Sequence, residues 1–287
     1  MGLCICWKDN LVKQFGLLLI GLVFLIAGCS SIVIKPVFQT KEREEPVDYQ
    51  VPYAVFPDNL LFLGLGDSLT VGVGDELKQD GYLGRVKQEL LQSDQIEQID
   101  LINTAKRGRR SDQLMTLLSS GALDKEIQEA SHIYLSIGGN DVMKIIKRDL
   151  FSLQLDAFEE ERENYETRYF HILHYIRDLN PQAPIIALGL YNPFSLITVE
   201  SEEVESIITD WNTTMERQLM EFEATCYVPV QDLFYTNTNL VYHTDFFHPN
   251  AKGYELIANR MIRTMESCGF VEETNGELYV KGASRNE

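Results

Sequence analysis

The chain has 287 residues, which is enough for one large or two small domains, and 45% of them are hydrophobic and 24% charged. Its formal net charge is −18 and its pI is about 4.7, so the phosphates of a nucleic acid would be repelled. The composition therefore argues against nucleic acid as a partner, and it favours no particular fold.

The N-terminal residues have the pattern of an export signal. Two lysines precede an apolar run, residues 15–28, which is shorter than the roughly 20 residues that span a membrane. The run ends in Leu-Ile-Ala-Gly before Cys29, and this resembles a bacterial lipobox. We predict a lipoprotein signal peptide over 1–28 and lipid on Cys29, and the alternative is an uncleaved membrane anchor. Either arrangement places the remaining chain outside the cytoplasm, at the surface of the bacterial cell membrane.

Residues 29–58 contain four prolines and a charged patch, so we predict an irregular tether between the lipid and the folded domain. Cys226 and Cys268 are the two cysteines that follow this tether. Cysteines can pair in an oxidising compartment, but spacing alone does not show pairing. Two separate, buried cysteines are the favoured interpretation.

From residue 60 to about residue 268, apolar runs alternate with helical patterns. The apolar runs, each predicted to be a buried strand, lie at residues 60–63, 99–102, 133–137, 185–190 and 227–230. The helical patterns lie at residues 84–92, 111–118, 158–179, 202–222 and 250–266. Five strands that are each followed by a helix predict a parallel sheet covered by helices on both faces. In such a sheet, functional residues gather at the carboxyl ends of the strands.

Small polar blocks stand at four of these strand ends. The first strand leads to Ser68, the second to Gly108 and the third to Asn140. The loop after the fifth strand carries Asp245 and His248. We therefore expect these residues to converge on one rim of the sheet.

One such block is a weak signal, but the four together resemble the GDSL or SGNH hydrolase family, named after a Ser, a Gly, an Asn and a His. The resemblance covers about residues 59–268. It implies a three-layer, flavodoxin-like α/β fold with a five-stranded parallel sheet. It also implies hydrolysis of esters without a metal ion or an organic cofactor.

A serine hydroxyl is a poor nucleophile until a base removes its proton. His248 is the candidate base because imidazole titrates near neutral pH. Asp245 precedes it by three residues, a spacing that can place the carboxylate beside the ring. Asp67 adjoins Ser68, but adjacent side chains point apart, so we assign Asp67 a structural role. The alternative for Ser68 itself is that it caps the following helix.

The resemblance assigns three donors to the oxyanion hole: the backbone N–H groups of Ser68 and Gly108 and the side-chain amide of Asn140. The residue types suit this role, because glycine permits close approach of the backbone and asparagine donates without charge. The alternative for Gly108 and Asn140 is that both are simply turn residues. Residues 106–110, Lys-Arg-Gly-Arg-Arg, are unusually basic. They could attract an anionic substrate or lipid headgroup, or form a solvated loop that balances nearby carboxylates.

Two further segments carry weaker signals. Residues 143–163 are rich in apolar side chains, and they could form a lid, an acyl-binding wall or a buried helix. Asn275-Gly276 lies between short apolar stretches and predicts a hairpin. The predicted organisation is therefore a domain over residues 59–269 and a C-terminal hairpin or tail over residues 270–287.

Together these features predict a membrane-tethered serine hydrolase that cleaves carboxylic esters through an acyl-serine intermediate. Its partners would be the membrane, through the lipid on Cys29, and an ester substrate, either an acyl lipid or an acetylated glycan. One alternative is an O-acetyl esterase that acts on cell-wall polysaccharide. Another is a binding lipoprotein that retains the fold without the chemistry. Neither the oligomeric state nor the acyl chain has a sequence signal.

Overall fold

The structure is a computed structural model that describes residues 59–93, 96–148, 155–193, 201–234, 241–245, 247–274 and 277–280. The predicted signal peptide, Cys29 and the tether lie outside the described residues. Within the described part of the chain, no helix combines the length and the apolar character that crossing a membrane requires.

Five parallel strands form the central sheet in the order β2-β1-β3-β4-β5. They are β1 (Asn59–Gly66), β2 (Gln98–Asn103), β3 (His132–Ser136), β4 (Ile185–Leu188) and β5 (Thr225–Val228). Every residue of β3 and β4 is buried, because helices cover both faces of the sheet. The predicted α/β fold with a five-stranded parallel sheet is confirmed.

Helices connect the strands and form the two outer layers. In the described part of the chain they are α1 (Ser68–Val71), α2 (Gly81–Leu90), α3 (Ser111–Ser119), α4 (Asp124–Glu129), α5 (Gly139–Arg148), α6 (Leu155–Leu179), α7 (Ser201–Leu219) and α8 (Ala251–Ser267). A short 3-10 helix, Gln231–Phe234, follows β5. The short helices α1 and α4 have no counterpart among the predicted elements.

Alternate residues along the strands pack into separate cores on the two faces of the sheet. On one face, Leu63 and Leu135 pack with side chains from α3 to α7. On the other face, Phe62 and Tyr134 pack with side chains from α2 and α8. Trp211 lies in the first core, with its ring stacked 4.7 Å from that of Tyr165. The alternation follows from the two-residue period of a strand. Because all five strands are parallel, their carboxyl ends lie on one rim of the sheet.

Cys226 of β5 and Cys268, just after α8, form a disulfide with a Cα–Cα distance of 5.9 Å. The expectation of two separate cysteines is therefore wrong. The cause lies in the tertiary packing, because α8 crosses β5 on the second face and ends beside it.

Two short strands follow α8, β6 (Val271–Thr274) and β7 (Glu277–Val280), and they pair antiparallel. They flank Asn275-Gly276, the position at which the sequence predicts a hairpin. Val271 and Val280 are buried in the same core as α8, so this pair packs against the domain.

Candidate active site

Ser68 lies at the rim because β1 ends at a glycine. Gly66 has φ +119°, and a Cβ at this position would lie 1.9 Å from the carbonyl oxygen of Ser136 on β3. The chain then turns, and Asp67 caps α1 by accepting a hydrogen bond from the Leu69 N–H at 3.1 Å. Ser68 is thus the first residue of α1 rather than its cap, and its side chain is buried at the base of a cleft.

The structure brings Ser68, His248 and Asp245 together. His248 Nε2 lies 2.9 Å from Ser68 Oγ, and His248 Nδ1 lies 2.6 Å from Asp245 Oδ2. The other oxygen of Asp245 accepts hydrogen bonds from the backbone N–H groups of Phe247, at 3.0 Å, and His248, at 2.9 Å. Because an ionised carboxylate only accepts, Nδ1 must carry the imidazole proton. Nε2 is therefore left with the lone pair that faces the serine hydroxyl.

The protonation states at neutral pH agree with this tautomer. Although burial acts to raise the pKa of Asp245, its hydrogen bonds from His248 and Phe247 lower it to about 2. Burial lowers the pKa of His248 below its ordinary value against the opposing effect of Asp245, and the charges of Arg107 and His243 lower it further. At neutral pH the carboxylate is therefore ionised and the imidazole is neutral.

Three packed aromatic side chains, Tyr191, Phe234 and Tyr242, hold the loop that carries His248. The Tyr191 hydroxyl donates to the Phe247 carbonyl at 2.7 Å, and the Tyr191 ring stacks on Phe234 with centroids 4.0 Å apart. The Tyr242 hydroxyl donates to the Asn192 carbonyl at 3.2 Å. These contacts join the loop after β4 to the loop after β5, which fixes the imidazole beside the serine.

The loop after α1 supports the same residues from the other side. A Cβ at Gly74 would lie 2.5 Å from the Pro249 carbonyl oxygen and 3.1 Å from the Cβ of His248. Only a glycine permits this approach, since φ is also positive there, at +94°. The Glu76 carboxylate accepts a hydrogen bond from the N–H of Ala251, the first residue of α8, at 2.9 Å.

Gly108 lies in a tightly held loop after β2. The N–H of Lys106 donates to the Gly66 carbonyl at 2.9 Å, and the Arg109 guanidinium donates to the Thr104 carbonyl at 2.8 Å. Gly108 itself is exposed, with φ +77°, and no atom lies within 4 Å of where its Cβ would be. The loop is thus fixed at its base and open at its tip.

Asn140 lies beside this loop. Its side-chain amide donates to the Arg109 carbonyl at 3.1 Å, which leaves a second amide hydrogen for another acceptor. The backbone N–H groups of Ser68 and Gly108 donate to no residue in the described ranges. The predicted donors are therefore held by neighbouring contacts, and each has a hydrogen to give.

Asp67 belongs to a buried hydrogen-bonded chain beneath Ser68, away from the imidazole. Its carboxylate accepts from the Ser136 hydroxyl at 2.7 Å. The Ser136 hydroxyl lies 2.7 Å from the Thr70 hydroxyl, and the Thr70 hydroxyl lies 2.6 Å from the Tyr82 hydroxyl. Burial raises the pKa of Asp67 to about 6, against the lowering effect of the Ser136 hydrogen bond. The sequence analysis did not predict this series of hydrogen bonds. Its one local sign is that the apolar strand β3 ends in a serine, Ser136.

Asp141 forms a second buried carboxylate site that the sequence did not reveal. It accepts hydrogen bonds from the N–H of Ser111, at 3.0 Å, and from its hydroxyl, at 2.7 Å, and Arg168 lies 3.4 Å away. Ser111, the first residue of α3, therefore binds Asp141 across 30 positions of the chain. This contact fixes the start of α5, where Asn140 lies.

A largely apolar cleft extends from Ser68 and Asn140. Most of its apolar side chains come from α5, from the residues at and after the end of β4, from α7 and from the His248 loop: Val142, Met143, Ile146, Leu188, Leu190, Pro193, Val204, Ile208 and Phe247. Within residues 143–163, the part in α5 therefore forms a wall of this cleft. Residues 149–154 lie outside the described part of the chain.

No group of three or more His, Cys, Asp or Glu side chains in the described ranges is placed to hold a metal ion.

Comparisons with known proteins identify the family. A family model for the GDSL-like lipase/acylhydrolase family matches residues 65–256. The chain belongs to this family. The uncharacterized protein YpmR of Bacillus subtilis is 32% identical over 255 residues, which cover 88% of this chain and 96% of that protein.

Another relative and a solved structure are also similar to this chain. The spore germination lipase LipC of Bacillus licheniformis is 26% identical over 211 residues, covering 70% of this chain and 94% of LipC. Among solved structures, the lipase Lip_vut3 from a goat rumen metagenome superimposes with a TM-score of 0.62. It is 24% identical, and the match covers 73% of this chain and 97% of that chain. This GDSL-like protein is a carboxylic ester hydrolase.

Proposed function

We propose that this hydrolase cleaves carboxylic esters through an acyl-serine intermediate on Ser68, with His248 as the general base and Asp245 as its partner. The observation that carries the proposal is the continuous contact from the serine hydroxyl through the imidazole to the carboxylate, at 2.9 Å and 2.6 Å. A neutral imidazole in this position accepts the hydroxyl proton as the oxygen attacks the ester carbon.

The attack creates a tetrahedral intermediate with a negatively charged oxygen. The backbone N–H groups of Ser68 and Gly108 and the amide of Asn140 would stabilise this charge, because donors that are already fixed need no reorganisation. The imidazolium of His248 then gives its proton to the leaving alcohol, and the acyl group remains on Ser68. Water activated by the same imidazole releases the acid and restores the hydroxyl.

The cleft favours an acyl chain longer than acetyl. It begins at Ser68, and apolar side chains of α5 and α7 dominate its lining. Burial of apolar surface gives roughly 0.8 kcal/mol for each methylene, so each methylene that enters the cleft favours a longer chain over acetyl by about that amount. An acetyl group would leave most of these side chains without a partner. We therefore propose esterase or lipase activity on acyl lipids.

We further propose that the enzyme acts at the outer face of the cytoplasmic membrane, tethered by lipid on Cys29. Support comes from the sequence of residues 1–28 and from the proline-containing segment before β1. Replacing Cys29 by Ser should release or mislocalise the protein, as followed by cell fractionation. Unchanged membrane retention would indicate an uncleaved helix instead.

The direct test combines covalent labelling with a chain-length series. A fluorophosphonate probe followed by mass spectrometry should modify Ser68, and p-nitrophenyl esters from acetyl to decanoyl should be hydrolysed increasingly well. The control is Ser68→Ala, which removes the hydroxyl and little else. Equal inactivity of both proteins on every ester would support a binding protein. A preference for acetyl would support deacetylation of a polysaccharide.

A further inference from the structure

Some basic side chains of the loop beside the site are bound to protein groups, and others are not. Within residues 106–110, the Arg109 guanidinium is bound to the Thr104 carbonyl at 2.8 Å and holds the loop in shape. Arg110 forms an ion pair with Asp112 at 2.9 Å. These two arginines therefore serve the local structure.

Lys106 and Arg107 are both exposed, and neither has an ion-pair partner among the described residues. Two carboxylates at the end of this loop are already engaged. Asp112 binds Arg110, and Asp141 binds Ser111 and Arg168. A loop that only balanced its own carboxylates would pair these cations too. In a chain of net charge −18, two such cations on a rigid loop are a local exception.

These cations stand on the side of Ser68 away from the acyl cleft. The loop follows β2, which neighbours β1 on one side, whereas the cleft lies after β3 and β4 on the other side. Among the described residues that line the cleft, none comes from residues 104–110. An ester with its acyl chain in the cleft therefore extends its alcohol part towards the basic loop.

The leaving alcohol must also lie next to His248, which gives it a proton. The loop that carries Arg107 contacts the reacting centre, because Asn140, which lines the cleft with Ser68, donates to the Arg109 carbonyl at 3.1 Å. The charge of Arg107 also acts to lower the pKa of His248. A negative group carried a few bonds from the alcohol oxygen is then within reach of the guanidinium, which offers paired N–H donors to a phosphate.

We propose that Arg107, assisted by Lys106, is a specificity-determining residue that binds a phosphate group on the alcohol part of the ester. The substrates selected in this way are acyl esters of phosphate-bearing alcohols. This inference rests on the proposed function, because it takes Ser68 as the nucleophile.

The experiment compares matched esters of glycerol and of glycerol phosphate, each with a decanoyl or an acetyl group. The quantity measured is the ratio of kcat/KM for the phosphate ester to that for the uncharged ester with the same acyl group. Arg107→Gln should lower this ratio about fivefold, which corresponds to about 1 kcal/mol, the upper value for an exposed ion pair. The double variant with Lys106→Gln should lower it about tenfold or more. At about 1 M NaCl, where charges are screened beyond about 3 Å, the wild-type preference should largely disappear.

Two further variants control the comparison. Arg107→Lys keeps the charge and should retain most of the preference. Arg263→Gln removes an exposed cation far along α8 and should leave the ratio unchanged. A preference confined to the decanoyl pair would identify a lipid headgroup as the source of the phosphate. A preference in both pairs would extend it to any acylated glycerol phosphate.

The inference is overturned if Arg107→Gln slows both esters of a pair equally, or if Arg263→Gln lowers the ratio as much. Failure of the proposed function looks different. In that case the wild type and Ser68→Ala would be equally inert on the uncharged esters, so the ratio of kcat/KM values could not be measured.

Discussion

The choice between Asp245 and Asp67 as the partner of His248 can be tested by making the same substitution at both positions. Asp245→Asn keeps the size of the side chain but leaves it a single acceptor oxygen. The wild-type carboxylate uses both oxygens, one for the imidazole and one for two backbone N–H groups. The single amide oxygen cannot accept from both the imidazole and the two backbone N–H groups, so one of these sets of hydrogen bonds is lost.

The structure gives the size of the effect. If the amide oxygen stays with the two backbone donors, its NH₂ faces His248 Nδ1, and the ring proton moves to Nε2. The base then has no lone pair for the Ser68 proton. Turning the amide restores the tautomer but leaves two backbone N–H groups without an acceptor, at about 1 kcal/mol each in this partly exposed loop. The competent form is thus disfavoured about thirtyfold, and the carboxylate that stabilises the imidazolium is also lost. We expect kcat/KM to fall by about 10³ to 10⁴.

Asp67→Asn should behave differently. The Asn oxygen can still accept from Leu69 and Ser136, so activity should stay within about tenfold of wild type. Because the pKa of Asp67 is raised to about 6, the folded state binds its proton more tightly than the unfolded state does. Wild-type stability is therefore lost as the pH rises from about 4 to about 6, by roughly 3 kcal/mol. The amide does not titrate, so Asp67→Asn should be more stable than wild type at neutral pH, and this advantage should vanish below pH about 4.

The assay is steady-state hydrolysis of a p-nitrophenyl ester, with urea unfolding at several pH values to measure stability. If Asp67→Asn abolished activity while Asp245→Asn retained most of it, the assignment of the two carboxylates would be refuted. Circular dichroism of both variants would confirm that each is folded before rates are compared.

Three other outcomes are expected. Because burial lowers the pKa of His248 and only the neutral ring accepts a proton, kcat/KM should rise with pH to a plateau with a midpoint below about 6.5; a midpoint above neutrality would contradict this. Met143→Trp should fill part of the acyl cleft and slow hydrolysis of a decanoyl ester more than of an acetyl ester, whereas equal slowing would show that the chain binds elsewhere. Replacing Cys226 and Cys268 by Ser should lower the free energy of unfolding by about 4 kcal/mol, given the 42-residue separation, as measured by urea titration; an unchanged value would mean that the disulfide restrains little in the unfolded chain.

The sequence predicts the strands well where both faces of the strand are buried. It predicts the end of a strand less well where buried residues continue beyond the last residue that pairs with a neighbouring strand. The apolar run at residues 185–190 extends beyond β4, which ends at Leu188. Leu190 is buried all the same, because the Asn212 side chain bonds both its N–H, at 2.7 Å, and its carbonyl, at 3.0 Å. An apolar run indicates which residues are buried, but the end of the strand depends on where hydrogen bonding to the neighbouring strand stops.

The same limit applies to the site. The residue types at the strand ends are local, so the order of residues along the chain is enough to place Ser68, Gly108 and Asn140 on one rim. The groups that hold them are not local. Ser136 reaches Asp67 across 69 positions of the chain, and a contact of that span leaves no periodicity to detect. The helix α1, with four residues, is likewise too short to show a pattern.

The contact between Ser68 and His248 joins residues 180 positions apart, and so has a consequence for biogenesis. A polypeptide that emerges N-terminus first displays its serine early, with no imidazole nearby to activate it. The hydrolase becomes competent only when the segment that leads into α8 has been delivered and packed against the glycine-containing loop behind the nucleophile. Premature termination before that segment would yield an inert fragment, so ester cleavage begins only once the later part of the chain has folded.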